Sequence, residues 1–335
     1  MRKIISICCA VILSAILVNG VMFFYERPVA WIDTPNGASG SIRRPGALLV
    51  HGTEGYGVNT IDALGYLNYD YPLANDYVLM MGASHSLGKE MKKDNTYSTL
   101  VNKKLSNDSQ ELRAVNIGSD GHFLPAIIKH FQAATQIYPD SKCVVIELFT
   151  TDYSLEELQG SMNQVECIDY RDANQVYADQ GMNSIVKSYI KEWLPLLAMA
   201  KSHIETVQKP NSTGGGGYNV NEEKYRTVIT DCLTLIRSQY DDSIVFIYHP
   251  VTEIQKDGSI KIVRSQTFDI FKEVCEKTKI DFIDTGDAFV EHYNKYHELP
   301  YGFANTTPGS GHLNEVGHKI MADAIIDYLE EVNCK

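Results

Sequence analysis

Positive charge is scarce in this chain. Its 335 residues hold 30 Lys and Arg against 42 Asp and Glu, a formal net charge of −12 at pH 7. Nucleic-acid phosphates are bound by clustered Lys and Arg, so the balance argues against a nucleic-acid partner. It also disfavours adsorption on anionic headgroups. Cysteines are few and follow no paired pattern. Cys143, Cys167, Cys232, Cys275 and Cys334 follow the N-terminal segment, and an odd set with irregular spacing makes no disulfide framework. Cys143 and Cys275 lie in apolar patterns and are expected in the core. No Cys/His spacing resembles a zinc site, and there is no internal repeat.

What is present is ordinary globular composition, 44% hydrophobic and 21% charged. Beyond an N-terminal segment roughly 300 residues remain, enough for one large α/β domain. That segment, Ile4 to Tyr25, is almost entirely apolar and is preceded by Arg2 and Lys3. A run of about 20 apolar residues matches the hydrocarbon thickness of a bilayer. The basic pair ahead of it predicts a single-pass cell-membrane anchor, N-terminus inside and the remainder extracytoplasmic. The rival is a cleaved signal peptide. No clean small-x-small site precedes Phe23, so an uncleaved anchor over residues 1–25 is favoured. Cys8 and Cys9 lie too near the start for a lipoprotein site and read as filler of the membrane helix.

Residues 26–44, with Pro28, Pro35, Gly37 and Gly40, read as a tether or irregular lead-in. The domain proper is expected over 45–335. Ala47 to Val50 is a short apolar run before Gly52. Strands are predicted at Tyr77–Met81, Arg113–Ile117, Cys143–Phe149, Ile244–Tyr248 and Ile280–Ile283. Helices are predicted at Tyr97–Leu105, Pro125–Tyr138 and Asn314–Val332. This alternation predicts a three-layer α/β/α sandwich with a mostly parallel, flavodoxin-like central sheet. Between about 153 and 242 the rhythm changes to a helical insertion. It holds a long helix Met182–Val207 with a possible kink at Pro195, a flexible stretch with four glycines at 214–217, and a helix Asn221–Tyr240.

In an open parallel sheet, ligands bind beyond the carboxyl ends of the strands. Ser84 follows the first predicted strand across Gly82-Ala83. A serine on a sharp strand-to-helix turn has its hydroxyl exposed above the sheet, where a distant histidine can take its proton. His312, in the last loop before the final helix, is the candidate base. Gly118, Thr151 and Asp152 follow other strand ends. Bland readings stand beside these. Ser84 could serve only as a helix cap. His85 reads as structural or substrate-facing, His249 as a cleft or loop residue, and His318 as exposed. Glu147, inside an apolar strand, either pairs with a buried partner or lines the cleft. Asp152 reads as a cap of the following helix. The 20 tyrosines, many at 55–77 and 293–301, lend modest support to sugar binding.

Four blocks in order resemble the SGNH (GDSL-type) hydrolase family. They are Gly82-Ala83-Ser84-His85-Ser86, Asn116-Ile117-Gly118-Ser119-Asp120-Gly121, Phe149-Thr150-Thr151-Asp152 and Gly309-Ser310-Gly311-His312-Leu313-Asn314. The resemblance covers about residues 75–330. It implies Ser84 as nucleophile and His312 as base, with an oxyanion site from the N–H groups of Ser84 and Gly118 and from Thr151. No metal or organic cofactor is implied. Three positions depart from the family pattern: Ala83 for Asp before the serine, Thr151 for the oxyanion Asn, and Gly309 for the Asp that orients the histidine. Asp284 or Asp287, just past a strand end, is the candidate replacement carboxylate. The expected activity is a serine esterase removing short, acetyl-type acyl groups, with a small acyl ester or an O-acylated cell-surface glycan as substrate. Two alternatives remain open at this level: acyl transfer to a glycan by the same Ser–His pair, and a catalytically weak glycan-binding member of the fold.

Overall fold

Five short apolar runs, each stopped by a glycine or a polar loop, build the central sheet. The computed structural model describes residues 2–34, 36–68, 76–107, 112–162, 173–200 and 221–332. Helix α1 spans Arg2–Tyr25, and two antiparallel pairs follow: β1 (Trp31–Asp33) with β2 (Ser41–Arg43), and β3 (Leu48–His51) with β4 (Gly57–Thr60). Next come β5 (Asp76–Met81), α2 (Ser84–Leu87), α3 (Tyr97–Asn107), β6 (Leu112–Asn116), α4 (Leu124–Ile137) and β7 (Ser141–Leu148). Among the described residues of the insertion are the short helices α5 (Leu155–Ser161), α6 (Ala173–Ala178) and α7 (Met182–Trp193), before α8 (Glu222–Ser238). The chain closes with β8 (Ser243–Tyr248), the hairpin β9 (Val251–Ile254) and β10 (Ile260–Val263), α9 (Phe268–Thr278), β11 (Asp281–Asp284), α10 (Gly286–Tyr296) and α11 (Glu315–Glu331).

The sheet order is β6-β5-β7-β8-β11, every pair parallel. This is the flavodoxin-like order, with its switch point at β5. Helices cover both faces, which is why the strands read as unbroken apolar runs. On β5, Tyr77, Leu79 and Met81 face a layer with Phe131, Ile229 and Phe271. Val78 and Met80 face the other, with Val101, Met321 and Ile325. Cys143, Cys232 and Cys275 are buried free thiols, as the apolar patterns around Cys143 and Cys275 predict. Cys167, Cys334 and the glycine stretch at 214–217 lie outside the described residues.

One segment differs from expectation and another takes the kink that was expected. Residues 26–44 do not hang as a tether: Val29, Ala30, Ile32 and Ile42 are buried and β1–β2 packs on the domain. The long insertion helix breaks at Leu194, because the residue before a proline is driven out of the helical region, and helical backbone resumes at Pro195. The expected continuation over 201–207 lies outside the described residues. Helix α1 is long and apolar enough to cross a membrane, with none of its most apolar stretch buried in the protein.

Candidate active site

The turn after β5 is built on a buried carboxylate. Glu147, the one acid in the apolar β7, accepts from the Ala83 N–H at 2.9 Å and from Ser86 Oγ at 3.1 Å through the same oxygen. Its other oxygen lies 2.7 Å from His249 Nε2, and the far side of that ring meets Tyr301 Oη at 2.8 Å. An uncompensated buried carboxylate would be costly, and these partners account for both oxygens. Glu147 therefore pairs beneath the site, and His249 belongs to that support. Gly82 is required here, since a Cβ would overlap Ser86 Oγ and Glu147. Ser84 then opens α2. The helix cap is Ala83, which makes no side-chain cap bond, so Ser84 is not a cap and its hydroxyl faces outward.

That hydroxyl lies 2.8 Å from His312 Nε2. The opposite nitrogen, Nδ1, lies 2.6 Å from Glu54 Oε2, and the His312 N–H donates to Glu54 Oε1 at 2.6 Å. The row Ser84–His312–Glu54 thus has the connectivity of a hydrolytic triad. Partial burial pushes the Glu54 carboxyl up, but the hydrogen bonds from His312 outweigh it and hold the group below the usual range. Burial likewise pushes His312 down, yet the Glu54 bond and the nearby carboxylates of Glu90 and Glu54 raise it above its ordinary value. Both directions favour an imidazolium beside a carboxylate. A second acid, Glu90, places Oε1 3.6 Å from His312 Nδ1. It is buried, and that oxygen has no hydrogen-bond partner among the described residues. Burial raises its carboxyl above the ordinary value.

Glu54 sits on the β3–β4 turn, outside the central sheet. Asn305 holds this turn by accepting from the Gly55 N–H at 2.8 Å and donating to the Gly52 carbonyl at 2.9 Å. From the other side Glu26 accepts from the Gly52 N–H at 2.9 Å, and Tyr56 Oη donates to the Phe24 carbonyl at 2.9 Å. Gly311 has φ +90°, and a Cβ there would overlap Glu54 Oε1. Gly311 therefore makes room for an acid arriving from another loop.

Several expected residues are occupied elsewhere. Asp284 accepts from Arg264 Nε at 2.8 Å, and Asp287 lies 3.8 Å from the same guanidinium. The Nδ1 of His312 goes to Glu54 instead of either. Thr151 is fully buried, its hydroxyl 2.9 Å from Thr267 Oγ1, which turns it into the packing beside α9. The Gly118 N–H donates to Asn116 Oδ1 at 2.8 Å. Gly118 still abuts the nucleophile turn, where a Cβ would crowd Ser86. Asp152 accepts from the Gln266 and Thr267 N–H groups ahead of α9, while the following helix, α5, is capped by Ser154. His85 is buried, with Nδ1 accepting from the Leu313 N–H at 3.2 Å. Burial first, then the neighbouring histidines, lower it well below its usual value and keep it neutral. His318 is buried, not exposed, and accepts from the Tyr97 N–H at 3.0 Å. The acid was missed because Glu54 precedes the first predicted strand. The available signal was an acidic residue in a glycine turn, His51-Gly52-Thr53-Glu54-Gly55, after an apolar run.

In fold, block order and dyad geometry the chain resembles the SGNH hydrolases. No family model matches it, and no curated protein does. Among solved structures it is similar to an acetyl xylan esterase at 12% identity, covering 76% of this chain and 99% of the other, with a TM-score of 0.44. It is similar to a psychrotrophic esterase from Pseudoalteromonas at 10% identity, over 77% and 99%, TM-score 0.41. A lipase/acylhydrolase from Enterococcus faecalis matches at 14% identity, over 77% and 96%, TM-score 0.42.

Proposed function

We propose that this chain is a membrane-anchored extracytoplasmic serine esterase. The carrying observation is the hydrogen-bonded row Ser84 Oγ–His312 Nε2 and His312 Nδ1–Glu54. In this reading Ser84 attacks an ester carbonyl while His312 takes its proton. Glu54 fixes the tautomer that leaves Nε2 free to accept, and it stabilises the imidazolium that forms. The proton then passes to the departing alkoxide, leaving an acyl-Ser84. Water attacks next, with His312 again as base, and releases the acid. The Ser84 N–H opens a helix, where first-turn donors have no intrahelical acceptor, and it is one oxyanion donor. The Gly118 N–H is the second, and joins by leaving Asn116 as charge develops. Thr151 has no part in this.

The substrate proposed is a short acyl ester, with O-acylated glycans of the cell envelope as the natural class that an anchored enzyme meets. A fluorophosphonate probe tests the chemistry. Ser84 should be the labelled residue by peptide mapping, and labelling should fail in Ser84→Ala. Labelling elsewhere, or none in the intact protein, would overturn the nucleophile assignment. Acetate release from acetylated glycans of the envelope, with none from the Ser84→Ala protein, tests the substrate class.

A further inference from the structure

Helix α7 is inside out for a protein in water. Its buried positions are Ser188 and Glu192, four residues apart on one face. Glu192 is fully buried and ion-paired with Arg44. The opposite stripe is apolar and exposed: Val186, Tyr189, Ile190 and Trp193 are between 43% and 57% accessible, and Met182 73%. Soluble helices bury the apolar stripe and hydrate the polar one. Lys187 and Lys191 are exposed beside the stripe, as on helices lying in a membrane interface, where Trp also concentrates.

A second, independent observation comes from α1. Asn19 is the single amide side chain in that apolar helix. The break at Leu194–Pro195 frees the Trp193 carbonyl and the Leu196 N–H from their helical partners. Asn19 Nδ2 donates to that carbonyl at 3.1 Å, and its Oδ1 accepts from that N–H at 3.3 Å. In hydrocarbon, broken helix bonds must be satisfied by protein because water cannot reach them. The Phe23 and Trp193 rings lie 5.4 Å apart beside this contact. Asn19 stands six residues before the end of α1, or about 9 Å along it at roughly 1.5 Å per residue. Interfacial helices bury their apolar face by about 5–10 Å, so the two depths agree.

We infer that α7 and the turn after it lie in the outer leaflet beside α1, with the Met182–Trp193 stripe facing lipid. This rests on the reading of α1 as a membrane anchor. The protein then holds the membrane by a span and by a second helix in its surface, which fixes the catalytic domain's orientation instead of leaving it to swing.

The chain has two tryptophans, so Trp31→Phe leaves Trp193 as sole reporter. The full-length variant is placed in phosphatidylcholine/phosphatidylglycerol vesicles, with and without phosphatidylcholine brominated on its acyl chains. Bromine quenches only by contact, so Trp193 emission should fall at least about twofold at interfacial depth. Unquenched emission overturns the inference, whether at the wavelength of water or blue-shifted by a covering protein surface or second copy. Flotation after alkaline washing separates this from the anchor itself. Protein that floats with Trp193 unquenched refutes only the α7 placement, and protein that does not float refutes the anchor and the placement together. Should Trp31→Phe fold poorly, the difference between wild type and Trp193→Phe reports the same quenching.

Discussion

At the scale of single residues, the oddest member of the site is Glu54, an acid supplied from outside the sheet. In the SGNH hydrolases that the chain resembles, the orienting carboxylate belongs three residues before the histidine, where this chain has Gly309. Since Glu54 already occupies His312 Nδ1, Gly309→Asp should bring no gain in turnover. The position has φ +76°, a left-handed conformation that Asp tolerates poorly, so a modest loss of stability is expected in a thermal melt. A tenfold gain, about 1.4 kcal/mol in the barrier, would show that Glu54 is a poor substitute. Glu54→Gln should lower turnover by as much as about 10⁴-fold, as loss of the orienting carboxylate does in serine proteases. Asp284→Asn should leave turnover unchanged. The pH profile gives the sign. His312 must be neutral to act as base, and its carboxylate neighbours raise it, so wild-type activity should fall as pH drops through a value above about 6.5. In Glu54→Gln the raising bond is gone and burial remains, so the residual acid limb should move to lower pH. An unmoved limb would assign that ionisation to another group.

At the scale of elements, the strand–turn–helix around Ser84 is a rigid support carrying a replaceable hydroxyl. Ser84 caps nothing, so Ser84→Ala should abolish hydrolysis of a p-nitrophenyl ester while costing less than the about 1 kcal/mol of a lost cap. Wild-type turnover in this variant would remove Ser84 from the mechanism. The supports should behave in the opposite way. Gly82→Ala pushes a methyl into Ser86 and Glu147, and overpacking of this kind typically costs about 1–3 kcal/mol. It should lower the melting temperature as well as activity. Elements of this kind were legible in the chain. The five strands of the central sheet, β5, β6, β7, β8 and β11, and helix α8 stand within a residue or two of expectation, because both-face burial writes continuous apolar runs and Asn221 caps α8 through its side chain. The break at Leu194 falls one residue before the proline that signalled it.

At the scale of the whole molecule, the end of α1 and the triad acid form one assembly. Glu26 and the Phe24 carbonyl hold the turn that carries Glu54, so the apolar N-terminal helix and the Ser84–His312–Glu54 row share a loop. An anchored reading makes a topological prediction. With Arg2 and Lys3 inside, protease added to intact cells should digest the domain beyond residue 30. Protection in intact cells with digestion after lysis would reverse the orientation. On the anchored reading the shared loop would also bring the site near the end of the span, as an ester held at the envelope surface requires.

The sequence by itself determined the parallel α/β layers, the strand-end location of Ser84, the place of His312 in the loop before the last helix, and the apolar N-terminal helix. Each of these is written in local pattern: a run of apolar residues, a glycine stop, a turn at a strand end. Only the tertiary structure decided which acid holds His312, because Glu54 lies 258 residues from it and no local periodicity joins the two. It likewise withdrew Thr151 into the packing against Thr267 and left Asp284 to Arg264, since which hydroxyl or carboxylate faces a cleft depends on partners from distant loops. The same holds for α7. Its amphipathic period is plain in the sequence, but period alone does not say which face is buried. Arg44 and Asn19, each more than a hundred residues away, decided that.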